Sequence, residues 1–171
     1  DPMDNRLRQC EGVMFDELTH SYFCGDKMLI GVTSLMAKHG LAANYGTVPS
    51  EVLSKAAAKG TAIHELLEHY DNGETVVEDE NLKAYKRLKL KVLCSEYLVS
   101  DNDVVATFID KVLDDYSLAD VKTTSEVHTS AVEWQLSICA YLFEKQNPGI
   151  KVPALYCIHV RNKNAKLIPI N

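Results

Sequence analysis

Asp120-Val121-Lys122 closes an apolar stretch of the chain. Strand side chains alternate, so Asp120 and Lys122 project to one face and Val121 to the other. Ten residues earlier Asp110 ends ATFID, on what reads as the neighbouring strand of a hairpin. Two carboxylates on adjacent strands can share a hard cation, Mg²⁺ or Mn²⁺, at about 2.0–2.2 Å. The cation would acidify a water, and a lysine beside it can position that water and offset charge building on a phosphate. Standing alone, an Asp-x-Lys is far more often a surface ion pair worth under about 1 kcal/mol. A second group, GTAIHELLEHY, puts His64 and Glu68 on one helix face. The zinc-protease motif H-E-x-x-H would need histidine at 68, where Glu68 stands. His64 and His69 lie about 140° apart round a helix and cannot share an ion. A partly buried helix histidine is the plain alternative. A third group, EWQLSICAYLFE, carries the Gln135 amide on an otherwise apolar helix, where it needs a partner or lies at the rim of the core.

These residues need a sheet with helices around it. Short strands are predicted at Val13 to Phe15, Ser21 to Cys24 and Met28 to Ile30, the last two joined by the turn signal Gly25-Asp26. Thr33 or Ser34 would cap a helix that stops at His39-Gly40. A loop with Asn44, Gly46 and Pro49 follows. Helices are predicted at Pro49 to Tyr70, where Gly60 interrupts the run and leaves a break or two helices open, and at Asn81 to Cys94. The period then changes to strands at Glu96 to Val99, Val104 to Leu113 and Tyr116 to Lys122. A helix at Ala131 to Gln146 and strands at Ala154 to Val160 and Lys166 to Ile170 complete the pattern. That order predicts one α/β domain over residues 1–171, a mixed central sheet flanked by helices.

Taken together, the ordered set resembles the PD-(D/E)XK nuclease superfamily, specifically its RecB-like and phage-type exonucleases, over about residues 13–160. KGTAIHELLEHY resembles the family's first helix, ATFIDKV its G-x-x-D-x-V, LADVKTTS its h-h-D-x-K-T-S, and EWQLSICAY its Q-L-x-x-Y helix. FDELTHSYFCGDKMLIGVTSL is similar to the opening of phage members. The resemblance implies His64, Asp110, Asp120 and the Val121 carbonyl as ligands of Mg²⁺ or Mn²⁺. Lys122 would orient the water and Gln135 would hold the site or a DNA phosphate. Glu68, Glu96 and Tyr141 are implied as outer supports. The chain departs from the family at Ala106, where glycine is usual, and at Cys139, where the tyrosine stands; Tyr141 lies about 120° round the helix from Gln135. The implied activity is metal-dependent hydrolysis of DNA phosphodiesters, best fitted by an exonuclease on duplex ends in phage or bacterial recombination and repair. A structure-specific endonuclease on the same site, or an inactive relative that binds DNA or protein, stays open. A single-strand annealing or recombination protein is an implied partner, and an oligomer an implied form.

Composition narrows the classes further. Hydrophobic residues make up 46% and charged residues 25%, globular values that exclude a disordered or fibrous chain. No apolar run reaches the roughly 20 residues of a membrane helix. The segment DPMDNRLRQC lacks the apolar stretch of a signal peptide, and residues 1–3 read as an appended remnant. Five scattered cysteines form no C-x-x-C pair, which predicts a reducing, cytosolic compartment and no iron–sulfur cluster, and the resemblance implies that this cytoplasm is bacterial or that of a phage-infected host. A net charge of −6 disfavours binding nucleic acid by bulk charge. Lys83, Lys86 and Arg87 share a helix face that is either a phosphate track or solvated surface.

Overall fold

A computed structural model describes residues 6–43, 45–46 and 48–171. Residues 1–3 and Asn44 of the expected loop lie outside the described residues. The elements run β1 (Val13–Asp16), β2 (Ser21–Cys24), β3 (Lys27–Gly31), α1 (Val32–Lys38), α2 (Ser50–Asp71), α3 (Glu80–Arg87), β4 (Val92–Ser100), β5 (Val105–Leu113), β6 (Leu118–Lys122), α4 (Thr129–Gln146), β7 (Leu155–Arg161) and β8 (Asn164–Ile170). The architecture is a mixed α/β sheet with helices on both faces, as the element order predicts.

Three local expectations need correction. The helix expected to reach Cys94 ends at Arg87, and β4 begins at Val92. Asp79 starts that helix by accepting from the N–H groups of Asn81 and Leu82 at 2.8 and 3.1 Å. Beyond Arg87 the run Leu88-Lys89-Leu90-Lys91-Val92 alternates apolar and charged, the period of a strand. Lys89 takes a positive φ of 53°, which breaks the helix before pairing with β5 takes over. Second, α1 starts directly at Val32 behind Gly31 without a side-chain cap, so neither Thr33 nor Ser34 serves that role. Third, α2 runs unbroken through Gly60. A Cβ at Gly60 would lie 2.8 Å from Thr123 Oγ1, so glycine here lets α2 approach the segment after β6.

The sheet runs β1-β2-β3-β5-β6-β7-β8, with β4 on the other edge of β5. Ala106 pairs with Ser100 of β4 and with Gly31 of β3, and Lys111 pairs with Ser95 of β4 and with Ala119 of β6. One edge of β5 is therefore covered by β4. The opposite edge is shared, with parallel β3 at its start and antiparallel β6 at its end. Between these contacts, from 107 to 110, that edge is unpaired, and the sheet forks.

Alternation along β6 separates the two layers. Leu118 packs with Val132, Leu136 and Phe143 of α4 and Met36 of α1. Ala119 and Val121 pack with Ile63 and Leu67 of α2 and Leu82 and Tyr85 of α3. Burying a side chain such as Leu67 or Leu136, both essentially inaccessible, is worth about 1.5–3 kcal/mol. A smaller cluster of Tyr22, Leu29 and Ala106 fastens the β1–β3 hairpins to β5. Cys10, Cys24, Cys139 and Cys157 are free thiols. Among the described residues no helix is long and apolar enough to cross a membrane.

Candidate functional site

Asp110 sits at the fork. The β5–β6 ladder stops at Lys111–Ala119, so the next backbone groups lose their partners. Asp110 Oδ2 accepts from the Val121 N–H at 2.7 Å instead. The Val121 main chain meets the site through its N–H, a donor to Asp110, which is a different group from the carbonyl that the resemblance implies as a ligand. From the α2 side, His64 Nδ1 approaches the same oxygen at 3.9 Å. Burial holds the His64 pKa below its usual value, which keeps the ring neutral and able to donate a lone pair.

Glu96 completes this group. It lies opposite Asp110, in the part of the β4–β5 ladder that the backbone pairing skips. Its φ is +52°, a rare conformation for a non-glycine residue inside a strand, sustained only where surrounding structure holds it. One donor atom each from His64, Glu96 and Asp110 lies within 4.8 Å of the others. Burial, and then the charges of Asp110 and Glu68, push the Glu96 carboxyl up to about 8. Two carboxylates and a neutral imidazole at this spacing suit a divalent cation, Mn²⁺ or Mg²⁺ with its oxygen preference.

Asp120 adjoins this group from β6. It is 4% exposed and is not one of the trio, yet its carboxyl lies close enough to Asp110 to interact with it directly. Gln135 Nε2 donates to Oδ1 at 2.9 Å, while Oδ2 lies 2.7 Å from Lys122 Nζ in an ion pair without hydrogen-bond alignment. Lys122 and Asp120 share a face of β6, so this pair forms locally. Lys122 also donates to Gln135 Oε1 at 3.3 Å. The amide therefore bridges both charges with its complementary ends, which glutamate could not do. Burial, and then repulsion from Asp110, raises the Asp120 carboxyl to about 7. Burial opposes the charge on Lys122, but Asp120 and Asp110 outweigh it, and its pKa rises. Lys122 is thus an ammonium in the metal-free protein.

Glu68 lines the same cleft and repels Glu96. Tyr141 does not reach the site: it is 60% exposed and accepts from Lys145 at 3.3 Å. Buried Cys139 occupies the inward turn below Gln135. Lys83 pairs with Glu80 at 3.1 Å, Lys86 covers the Tyr70 ring at 4.8 Å, and Arg87 is exposed beside them. None of the three lines the cleft, whose cationic residues are Lys59 and Arg161.

Four supporting side chains, Lys111, Tyr85, His159 and Arg161, escape sequence reasoning. Lys111 is 2% exposed, 2.7 Å from Asp71 and 2.9 Å from Ser95 Oγ. Tyr85 donates to the same Asp71 carboxylate at 2.6 Å. This network joins the backbone flanking Asp110 and Glu96 to the end of α2. His159 and Arg161 of β7 bind the Thr124 and Thr123 carbonyls at 2.7 and 3.0 Å, pinning the segment after Lys122. No sequence signal identifies Lys111, since its partner Asp71 lies forty residues away. The alternation of β7 does place His159 and Arg161 on one face.

Comparison of the chain with family models, curated proteins and solved structures finds no match. The site stands on its own geometry.

Proposed function

We propose that the protein is a divalent-metal-dependent nuclease of the PD-(D/E)XK type, which hydrolyses DNA phosphodiester bonds from strand ends. The observation that carries this reading is the convergence of His64, Glu96 and Asp110 within 4.8 Å, beside an Asp120–Lys122–Gln135 chain at the end of β6. His64, Glu96 and Asp110 would hold Mn²⁺ or Mg²⁺, and Asp120 lies next to them. When bound, the ion supplies Lewis-acid polarisation of the phosphate and a more acidic water.

The chain's own groups do the rest. Neutral His64 offers its lone pair without charge repulsion. Lys122 places a positive charge where negative charge grows on the phosphate, and its donors orient the attacking water. Its raised pKa fits that electrostatic role and not that of a resting base. Gln135 fixes the ammonium against Asp120, so little reorganisation is needed during reaction. The Thr123 and Thr124 carbonyls, held from β7, keep the end of β6 from swinging away.

End-labelled linear DNA and closed circles, incubated with Mg²⁺, Mn²⁺ or EDTA, test the reading. Metal-dependent shortening of linear DNA with intact circles is the expected result. Nicked circles would make the enzyme an endonuclease. Activity that survives EDTA, or no cleavage under any metal, would remove the proposal.

A further inference from the structure

The cleft that contains His64 and Glu96 has a volume of about 1420 Å³, and one of its walls is aromatic. Phe15 and His20 from the β1–β2 hairpin, with Phe108 of β5, line it. The Phe15 ring meets His20 at 5.0 Å and Phe108 at 5.0 Å, both edge to face. Phe108 lies two residues before Asp110, on the unpaired edge of the fork, so this wall adjoins the candidate ligands. The hairpin tip is built to present His20. Asp16 accepts from the Leu18 N–H at 3.0 Å and from Thr19 Oγ1 at 2.9 Å, and His20 follows at a positive φ of 51° with its ring exposed.

The charges of the cleft are equally informative. Its lining carries the carboxylates of Glu17, Glu65 and Glu68 against Lys59 and Arg161. The whole chain bears a charge of −6. A duplex held by its phosphates needs many Lys and Arg contacts, because affinity there comes from counterion release. This cleft cannot supply them. Stacking on aromatic rings is the other general source of affinity for a nucleic acid strand, and it requires bases that are free of a partner.

Building on the nuclease reading, we propose that the exposed His20 ring is a stacking shelf for the base beside the scissile phosphate, with Phe15, set perpendicular to it, walling the shelf at its edge. The substrate is then an unpaired strand end and not a blunt duplex. The shelf acts through its ring faces, so an aromatic substitute for His20 serves as well as histidine, while alanine does not.

The test uses an oligonucleotide with 2-aminopurine at its terminal position, single-stranded or annealed into a blunt duplex. His20 is exposed, so its variants keep the fold, which a thermal melt verifies. Fluorescence in EDTA reports stacking, and cleavage with Mn²⁺ reports turnover. For His20→Ala, single-strand kcat/KM is expected to fall roughly 5- to 100-fold, the scale of one lost base stack, with quenching lost. His20→Phe should restore both. Wild-type preference for blunt duplex, an indifferent His20→Ala enzyme, or failure of His20→Phe to rescue would overturn the shelf. The two readings separate cleanly. Protein that cuts nothing but quenches in a His20-dependent way keeps the shelf and loses the nuclease. Protein that cuts single strands regardless of residue 20 keeps the nuclease and loses the shelf.

Discussion

Replacing Glu96 with glutamine should stabilise the metal-free protein while removing its response to metal. In the unfolded chain this carboxyl titrates near 4.5, and in the folded site burial, then Asp110 and Glu68, raise it to about 8. The folded state therefore keeps a proton that the unfolded state releases. Stability contributed by that proton is fully present below about pH 4.5 and is lost as pH rises through about 8. Asp120, raised from 3.8 to about 7, acts in the same direction over a lower range. Each pH unit of displacement corresponds to about 1.4 kcal/mol. The full displacement of Glu96 sets a ceiling of several kcal/mol, and solvent reaching this half-buried side chain cuts it to about 1–2 kcal/mol. At this chain length that is a Tm difference of about 2–8 °C. Melting curves at pH 5.5 and 8.5, with and without Mn²⁺, are the assay. Metal-free wild type should lose more Tm between the two pH values than Glu96→Gln. Mn²⁺ at a hundredfold excess over its Kd should return about 2.7 kcal/mol to wild type at pH 8.5 and little to the variant. A Glu96→Gln protein that melts below wild type at pH 8.5 without metal, or that Mn²⁺ protects equally, refutes the shared-cation geometry.

Other outcomes follow from the same contacts. Lys122→Ala should retain metal-induced stabilisation yet lose about 10²-fold or more in single-turnover cleavage, with Lys122→Arg a partial rescue; a wild-type rate would remove Lys122 from the chemistry. Gly60→Ala gains about 1 kcal/mol of helix propensity but meets Thr123 Oγ1, so it should be destabilising by about 1 kcal/mol net, and Thr123→Ala should relieve it in a double-mutant cycle; additivity would refute the contact. Lys111→Met leaves the Asp71 carboxylate buried without its cation and should cost about 3–5 kcal/mol in urea unfolding, partly recovered by adding Asp71→Asn, to which Tyr85 can still donate. Reversing Lys83, Lys86 and Arg87 to Glu should leave cleavage of short single strands unchanged, because these residues lie outside the cleft; a raised KM for such strands would return them to the binding surface.

Period and punctuation made most elements readable. The Gly25-Asp26 turn, the Asn147-Pro148-Gly149 stop and the apolar stripe of α4 have local causes, and they fall where the chain places them. Lys89 to Cys94 misled because leucines at 82 and 88 fit a helical stripe while Leu88, Leu90 and Val92 also fit a strand. Pairing with β5 decides between them, and no local window contains it. The site divides the same way. Asp120, Lys122 and Gln135 were legible because two residues on one strand face and one polar residue on an apolar helix have few destinations. Glu96 was undervalued because its importance comes from an unusual backbone angle, which glutamate does not advertise. Lys111 and Asp71 meet through tertiary contact alone. Tyr141 was followed by helix angle, and its exposed face carries it to Lys145.

The fork in the sheet also shapes how the protein can change over generations. In an intact ladder the layers above and below are insulated, and each can drift through substitutions the other never registers. Here α2 presents His64 from one layer and α4 presents Gln135 from the other, and both answer to carboxylates at the gap beside Asp110. Mutations in the two helices, which lie in separate cores, become epistatic through a single hole in the backbone pairing. A lineage would have to move both layers together or keep both still.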